Sequence, residues 1–159
     1  MAYTEEDAAR RAVRIPRVLL PEDADMYVWA VNACDQFTSN AAYWREVEKI
    51  AEGKLSTYHL IFPEIYLKDD PEGRIAKINA NMRSYLADGV FKEVDGGFIL
   101  VERTTSSGTR TGIVLAIDLE CYSFVPEDGA LIRSTEATVL DRLPPRVKIR
   151  KDAPLELPH

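Results

Sequence analysis

Glu136 is the residue whose type and surroundings best suit chemistry. It follows the hydroxyl residues Ser134 and Thr135, and it lies between Arg133 and a basic run that begins at Arg142. A carboxylate in this position suits a general base that takes a proton from a substrate hydroxyl while guanidinium groups hold phosphate oxygens. The pattern predicts phosphoryl transfer. The same Ser-Thr-Glu run is most often a helix N-terminus with an acidic first turn, and that alternative stays open.

Arginine dominates a short basic stretch near the end of the chain. Between residues 133 and 151 there are six basic residues against two acidic ones, a local charge of +4 in a chain whose net charge is −6. Arginine pairs bidentately with phosphate, so Arg133, Arg142 and Arg146 are predicted to clamp an anion. The alternative is structural ion pairing with nearby acids, namely Glu136, Asp141 or Asp152.

A second polar cluster, containing Asp35, Thr38 and Ser39, lies between a predicted strand and a predicted helix. Loops in such positions often bind ligands, although Asp and Ser more commonly serve there as turn and cap residues. These three residues are included in the predicted substrate- or phosphate-binding set. The set is completed by the three arginines and the hydroxyl residues Ser134, Thr135 and Thr138.

Composition limits the class of protein. With 159 residues, 46% hydrophobic and 29% charged, the chain has the values of a soluble globular domain with its own core. No apolar run approaches the roughly 20 residues of a membrane span, and the charged N-terminus lacks a secretory segment, so we expect a cytoplasmic protein without a membrane partner. The negative net charge makes nucleic acid an unlikely partner. Cys34 and Cys121 are isolated in the sequence, which favours small buried hydrophobes over a disulfide or metal pair.

Capping signals predict about three helices. Thr4 followed by acidic residues begins a short N-terminal helix, Ser39 or Asn40 caps a second helix that Gly53 closes, and Asp70 caps a third with Pro71 at its first position.

Apolar and β-branched runs predict the strands. We expect buried strands at 26–33 and 57–62, followed by a three-stranded antiparallel meander and a short strand at 130–133. Near the end, a helical turn at 139–143 should be stopped by Pro144 and Pro145, with a strand following it. The result is an α+β fold with a mixed, largely antiparallel sheet. The meander strands are 91–94, 98–104 and 111–119, and the last strand is 147–150.

Five sequence runs, namely 29–39, 63–67, 110–114, 132–138 and 142–146, resemble the domain-of-unknown-function family numbered 1015. The resemblance covers nearly all of the chain after Ile15. Members of that family are typically more than twice this length. The resemblance implies that residues 1–15 are an extension and that residues 16–159 are the N-terminal portion of one family domain, incomplete at its C-terminus.

Part of this family is similar to the ParB and sulfiredoxin-like fold, whose relatives include nucleotide-dependent free-serine kinases and CTP-binding partition proteins. The resemblance implies that Glu136 corresponds to the glutamate of a Pro-His-Glu motif that activates a serine hydroxyl, with Ser134 and Thr135 where Pro-His is usual. A later Asp-Gly-His-His-Arg motif would lie beyond residue 159. ATP or ADP with Mg²⁺ is the implied cofactor.

Three hypotheses follow. The leading one is a nucleotide-dependent phosphotransferase that, in its complete form, acts on a small amino-acid-like hydroxyl. The second is a non-catalytic module of ParB-like type that binds a nucleotide or a protein. The third is a scaffold for a catalytic half further along the chain.

Overall fold

The computed structural model describes residues 4–94, 96–125, 127–134, 140 and 143–157. Contacts between Cα atoms divide the chain into two units. We call residues 1–19 and 93–138 the strand unit, and residues 20–92 and 139–159 the helical unit. Helix α1 (Glu5–Ala9) opens the strand unit with the predicted cap, because the Thr4 hydroxyl accepts from the Asp7 amide and the Asp7 carboxylate accepts from the Thr4 amide.

The strands form two-stranded pairs. In the strand unit β1 pairs antiparallel with β6, β4 pairs antiparallel with β5, and β7 runs parallel to β8. Strands β2 and β3 form a fourth pair. Their bounds are β1 Val13–Arg14, β2 Val18–Pro21, β3 Phe91–Val94, β4 Ile99–Thr105, β5 Gly108–Val114, β6 Ala116–Ile117, β7 Tyr122–Ser123 and β8 Ile132–Arg133.

These pairs confirm the α+β class and the largely antiparallel strand pairing. The hairpin of β4 and β5 and the strand at β8 were predicted from the sequence. The prediction of a three-stranded meander is wrong, because β3 pairs with β2 and the described part of β4 pairs with β5. The predicted pairing of β3 with its neighbour β4 is therefore replaced by a pairing of β3 with β2, which is distant from β3 in sequence.

The helical unit contains the remaining α-helices and two 3₁₀-helices. Helices α3 and α4 match their predicted caps: the Asn40 side chain accepts from the Tyr43 amide at 3.0 Å, and the Asp70 side chain accepts from the Gly73 amide at 3.2 Å. The elements are α2 (Met26–Trp29), α3 (Ala41–Ala51), 3₁₀-helices Thr57–Leu60 and Glu64–Tyr66, α4 (Pro71–Ala87) and α5 (Leu143–Lys151).

An apolar core forms around the inner face of α4. Ile78, Met82 and Tyr85 are buried on this face, and the centroid of the Trp29 ring lies 6.1 Å from that of the Tyr85 ring. Leu60, Phe62 and Val90 complete the buried cluster. Part of α5 and the segment after it pack against the same cluster, through Ile149, Ala153, Leu155 and Leu157.

Two predicted strands in this unit are wrong. Residues 26–33 contain α2, because the Asp25 carboxylate caps a helical turn by accepting from the Tyr27 amide at 3.0 Å. Residues 57–62 begin with a 3₁₀-helix, because the hydroxyl of buried Ser56 accepts from the Tyr58 amide at 3.2 Å. In both places a side-chain cap satisfies backbone donors that a strand would have paired elsewhere.

The strand predicted at 147–150 is also wrong, since α5 runs through it. Pro144 and Pro145 lie in the first turn of α5. Amide groups in a first turn have no acceptor within the helix, so proline is tolerated there and does not end the helix. The helical turn predicted at 139–143 lies mostly outside the described residues. Within the described part of the chain, no helix is long and apolar enough to cross a membrane.

Ser56→Ala is expected to destabilise the protein by about 1–3 kcal/mol, because the Ser56 hydroxyl is fully buried and donates to the Val28 carbonyl at 2.7 Å. Urea unfolding followed by circular dichroism measures this loss. The matched control is Ser39→Ala, which removes an exposed hydroxyl and should change the free energy of unfolding by no more than about 0.5 kcal/mol. Equal effects from the two variants would contradict the assigned role of Ser56.

Candidate ligand-binding site

An apolar cavity of about 150 Å³ lies within the helical unit. Its walls come from the 3₁₀-helix Thr57–Leu60 and the residues after it, from α4, from α5, and from the segment that follows α5. The side chains come from distant parts of the sequence and meet because α5 packs against the core. The apolar lining includes Leu60, Phe62, Met82, Ile149, Leu155 and Leu157.

Charged side chains also line this cavity. Arg146 and Arg150 are four residues apart on α5, a spacing that places them on one face of the helix. Asp35 joins them from the loop before α3, and Glu156 joins them from the segment after α5. The cavity thus combines an apolar interior with positively and negatively charged side chains in its lining.

The Arg146 guanidinium has hydrogen-bond donors that the described residues do not use. Its nearest carboxylate oxygen is Glu64 Oε1, 3.6 Å from Nη2, a distance too long for a good hydrogen bond. Half of the Arg146 side chain is exposed, at 51%, and it makes no hydrogen bond to the described residues. Because a guanidinium carries five N–H donors, Arg146 can bind an incoming anion without first breaking a short ion pair.

The other basic residues of α5 form closer ion pairs. Arg150 Nη2 lies 2.7 Å from Glu156 Oε1, and Lys148 Nζ lies 2.9 Å from Glu72 Oε1. Hydrogen bonding to Lys148 lowers the pKa of Glu72. These two pairs involve basic residues outside the predicted clamp and acids outside its predicted alternative, so they leave both interpretations untested.

Cys34 lies on the wall of the cavity beside these charges. Burial raises the pKa of its thiol above the ordinary value, the negative charges of Asp35 and Glu64 raise it further, and Arg146 opposes them. The thiol is therefore protonated at neutral pH and is a poor nucleophile. Cys34 and Cys121 are both free cysteines, and both are half-buried rather than buried as predicted.

Alkylation of Cys34 tests this electrostatic arrangement. Asp35→Asn should lower the Cys34 pKa and speed iodoacetamide modification at pH 8.5, whereas Arg146→Gln should raise the pKa and slow it. Rates would be measured by mass spectrometry in a Cys121→Ser background. Lys151→Gln, which alters an exposed cation of the same helix, is the control and should leave the rate unchanged. A common rate for all variants would contradict the assigned neighbours.

The structure brings together two of the predicted site residues, Asp35 and Arg146, at one cavity. Thr38 and Ser39 are exposed in the turn before α3 and are not among the described residues that line it. The cap of α3 is Asn40, one of the two predicted candidates.

Arg133 and Ser134 belong to the strand unit. Arg133 is exposed on β8, where it pairs with Ser123 of β7. The pKa of nearby Asp128 is lowered, first by a hydrogen bond with Ser123, then by the Ala130 amide, and further by the Arg133 charge. Arg133 thus has a carboxylate neighbour within its own unit. Glu136, Thr135, Thr138 and Arg142 lie outside the described residues, and their roles stay predictions.

Several lining residues were missed by the sequence analysis. Arg150 and Glu156 belong to the charged part of the cavity, and Cys34, Phe62 and Met82 belong to its wall. The spacing of Arg146 and Arg150 was the available signal, but a strand prediction at 147–150 concealed it.

Among the described residues, no group of three or more His, Cys, Asp or Glu is arranged to hold a metal ion.

The fold and the cavity define an α+β protein with a small apolar site bordered by arginine. The chain belongs to the family described as "Protein of unknown function (DUF1015)", whose family model matches residues 11–159. A search of curated proteins found no match, and neither did a search of solved structures.

Proposed function

We propose that the helical unit binds a nucleotide such as ATP or ADP, with the base in the apolar cavity and the phosphates at Arg146. One observation carries this proposal: an apolar cavity adjoins a guanidinium that has unused hydrogen-bond donors. The site thus offers an apolar environment beside a positively charged one. A nucleotide has an aromatic base and anionic phosphates that match these two environments.

The volume of the cavity limits what can enter it. Ligand pockets for drug-sized molecules usually measure about 300–1,000 Å³, whereas a space of about 150 Å³ suits one small ring. Phe62 and Met82 line the wall, and aromatic and thioether groups make favourable contacts with an aromatic ring. One ring of a base fits this interior, and the rest of the base, the sugar and the phosphates would remain at the charged border.

The charged border suits the polar part of a nucleotide. Arg146 can donate two parallel hydrogen bonds to phosphate oxygens. Asp35 is an exposed acceptor near the same cavity wall and is suited to a sugar hydroxyl. Mg²⁺ is usually held through substrate phosphates and one or two carboxylates, so it would arrive with the nucleotide and supply charge neutralisation.

Calorimetry with ADP and adenosine tests the binding proposal. Arg146→Ala should weaken ADP binding about tenfold, because charge-assisted hydrogen bonds contribute roughly 1.5–3 kcal/mol, and should leave adenosine binding unchanged. Ala153→Leu, which adds volume to the cavity wall, should weaken both ligands. Lys151→Ala is the control for loss of a positive charge. An absence of ADP binding to the unaltered protein would refute the proposal, as would an Arg146→Ala variant that binds ADP normally.

We further propose that the complete protein transfers the terminal phosphoryl group of a nucleotide to a small amino-acid-like hydroxyl, with Glu136 as the base that takes the hydroxyl proton. The support is the sequence pattern around Glu136. Glu136→Gln should lower turnover by about 10²–10⁴-fold, measured as phosphorylated serine by mass spectrometry. Glu127→Gln, an exposed acid in the same sequence region, is the control. Turnover within about threefold of the unaltered protein would remove Glu136 from the mechanism. Saturable nucleotide binding without product would favour the non-catalytic binding module.

A further inference from the structure

We propose that Arg146 and Arg150 select ligands that carry two adjacent oxyanions, such as a diphosphate, over ligands that carry one, and that Glu156 is an internal competitor that weakens this preference at Arg150. This inference rests on the proposed binding function and names the class of ligand for the same site. The Glu156 carboxylate pairs with Arg150, and the second oxyanion of a ligand would replace it.

The two arginines provide the geometry for a diphosphate. Arg146 and Arg150 both line the cavity and are separated by one turn of α5, so their Cβ atoms are about 5–6 Å apart. Neighbouring phosphoryl groups of a diphosphate can reach both guanidinium groups at such a spacing. A single phosphate at Arg146 would leave the pair of Arg150 and Glu156 intact.

The position of Glu156 is fixed by its neighbours along the chain. Leu155 and Leu157, on either side, pack against the core of the helical unit. Upstream, Arg83 Nη2 donates to the Asp152 carbonyl at 3.1 Å. Because the segment is held at these points, the carboxylate is presented to Arg150 with little further loss of backbone entropy.

The ion pair is also weak enough to be exchanged. The side chains of Arg150 and Glu156 are 52% and 60% exposed, and solvent-exposed pairs contribute only a few tenths of a kcal/mol up to about 1 kcal/mol. A diphosphate oxygen brings more charge to the same guanidinium and can therefore displace the carboxylate. Removing the charge of Glu156 should raise diphosphate affinity by about two- to fivefold.

Inorganic pyrophosphate and inorganic phosphate are the probes that test this inference by calorimetry at low ionic strength. Glu156→Gln should bind pyrophosphate about two- to fivefold more tightly than the unaltered protein, with a smaller change for phosphate. Arg150→Gln should lose most of the preference for pyrophosphate. Glu72→Gln is the matched control, because Glu72 pairs with Lys148 of the same helix but is not among the lining residues.

The outcomes separate this inference from the nucleotide proposal. Equal pyrophosphate affinity in the unaltered protein and Glu156→Gln would overturn the role of Glu156, even if ADP binds through Arg146. Tighter pyrophosphate binding in Glu156→Gln together with no adenosine or ADP binding would support the anion selectivity and refute the nucleotide. An equal gain in Glu72→Gln would also overturn the inference, because it would show a general effect of net charge.

Discussion

The hydrogen bonds of one buried serine hold together the segments on which the cavity depends. The Ser56 hydroxyl donates to the Val28 carbonyl at the end of α2, and the Ser56 amide donates to the Tyr85 hydroxyl of α4 at 3.2 Å. The chain then forms the 3₁₀-helix from which Leu60 and Phe62 reach the cavity wall. An unsatisfied polar group at this depth would cost about 1–3 kcal/mol, so the serine constrains three segments at once. The shape of the cavity follows from that constraint.

The sequence predicted those elements whose causes are local. Asn40 and Asp70 begin α3 and α4 through contacts three residues away, and such contacts are visible as a residue pattern. The segment after Ser56 was predicted wrongly because the serine bonds to a carbonyl 28 residues earlier. Helix α5 was missed for a related reason. Its prolines suggest a break, whereas the packing of Ile149 on the core favours a helix.

The candidate site was predictable only in parts. Asp35 and Arg146 were each identified from charge and position, but no local pattern indicates that α5 brings them to one cavity. The predicted clamp included Arg146 without its place on a helix, and a helix distributes its charges around its circumference. Lys148 consequently pairs with Glu72 on α4, whereas Arg146 and Arg150 face the cavity. A count of charges in sequence cannot distinguish these faces unless the secondary structure is known.

The cavity separates two contributions to ligand binding, one from apolar contacts and one from charged contacts. Contacts with Phe62 and Met82 depend on apolar area and change little with ionic strength, whereas contacts with Arg146 and Arg150 weaken as salt screens exposed charges. Cys34 adds no negative charge between these regions at neutral pH, because its pKa is raised. A ligand that has only a ring, or only an anionic group, would gain only one of these two contributions to binding. The apolar space is small and the cations are exposed, which is the physical reason that we propose as ligand a nucleotide, in which both parts belong to one molecule, over either fragment.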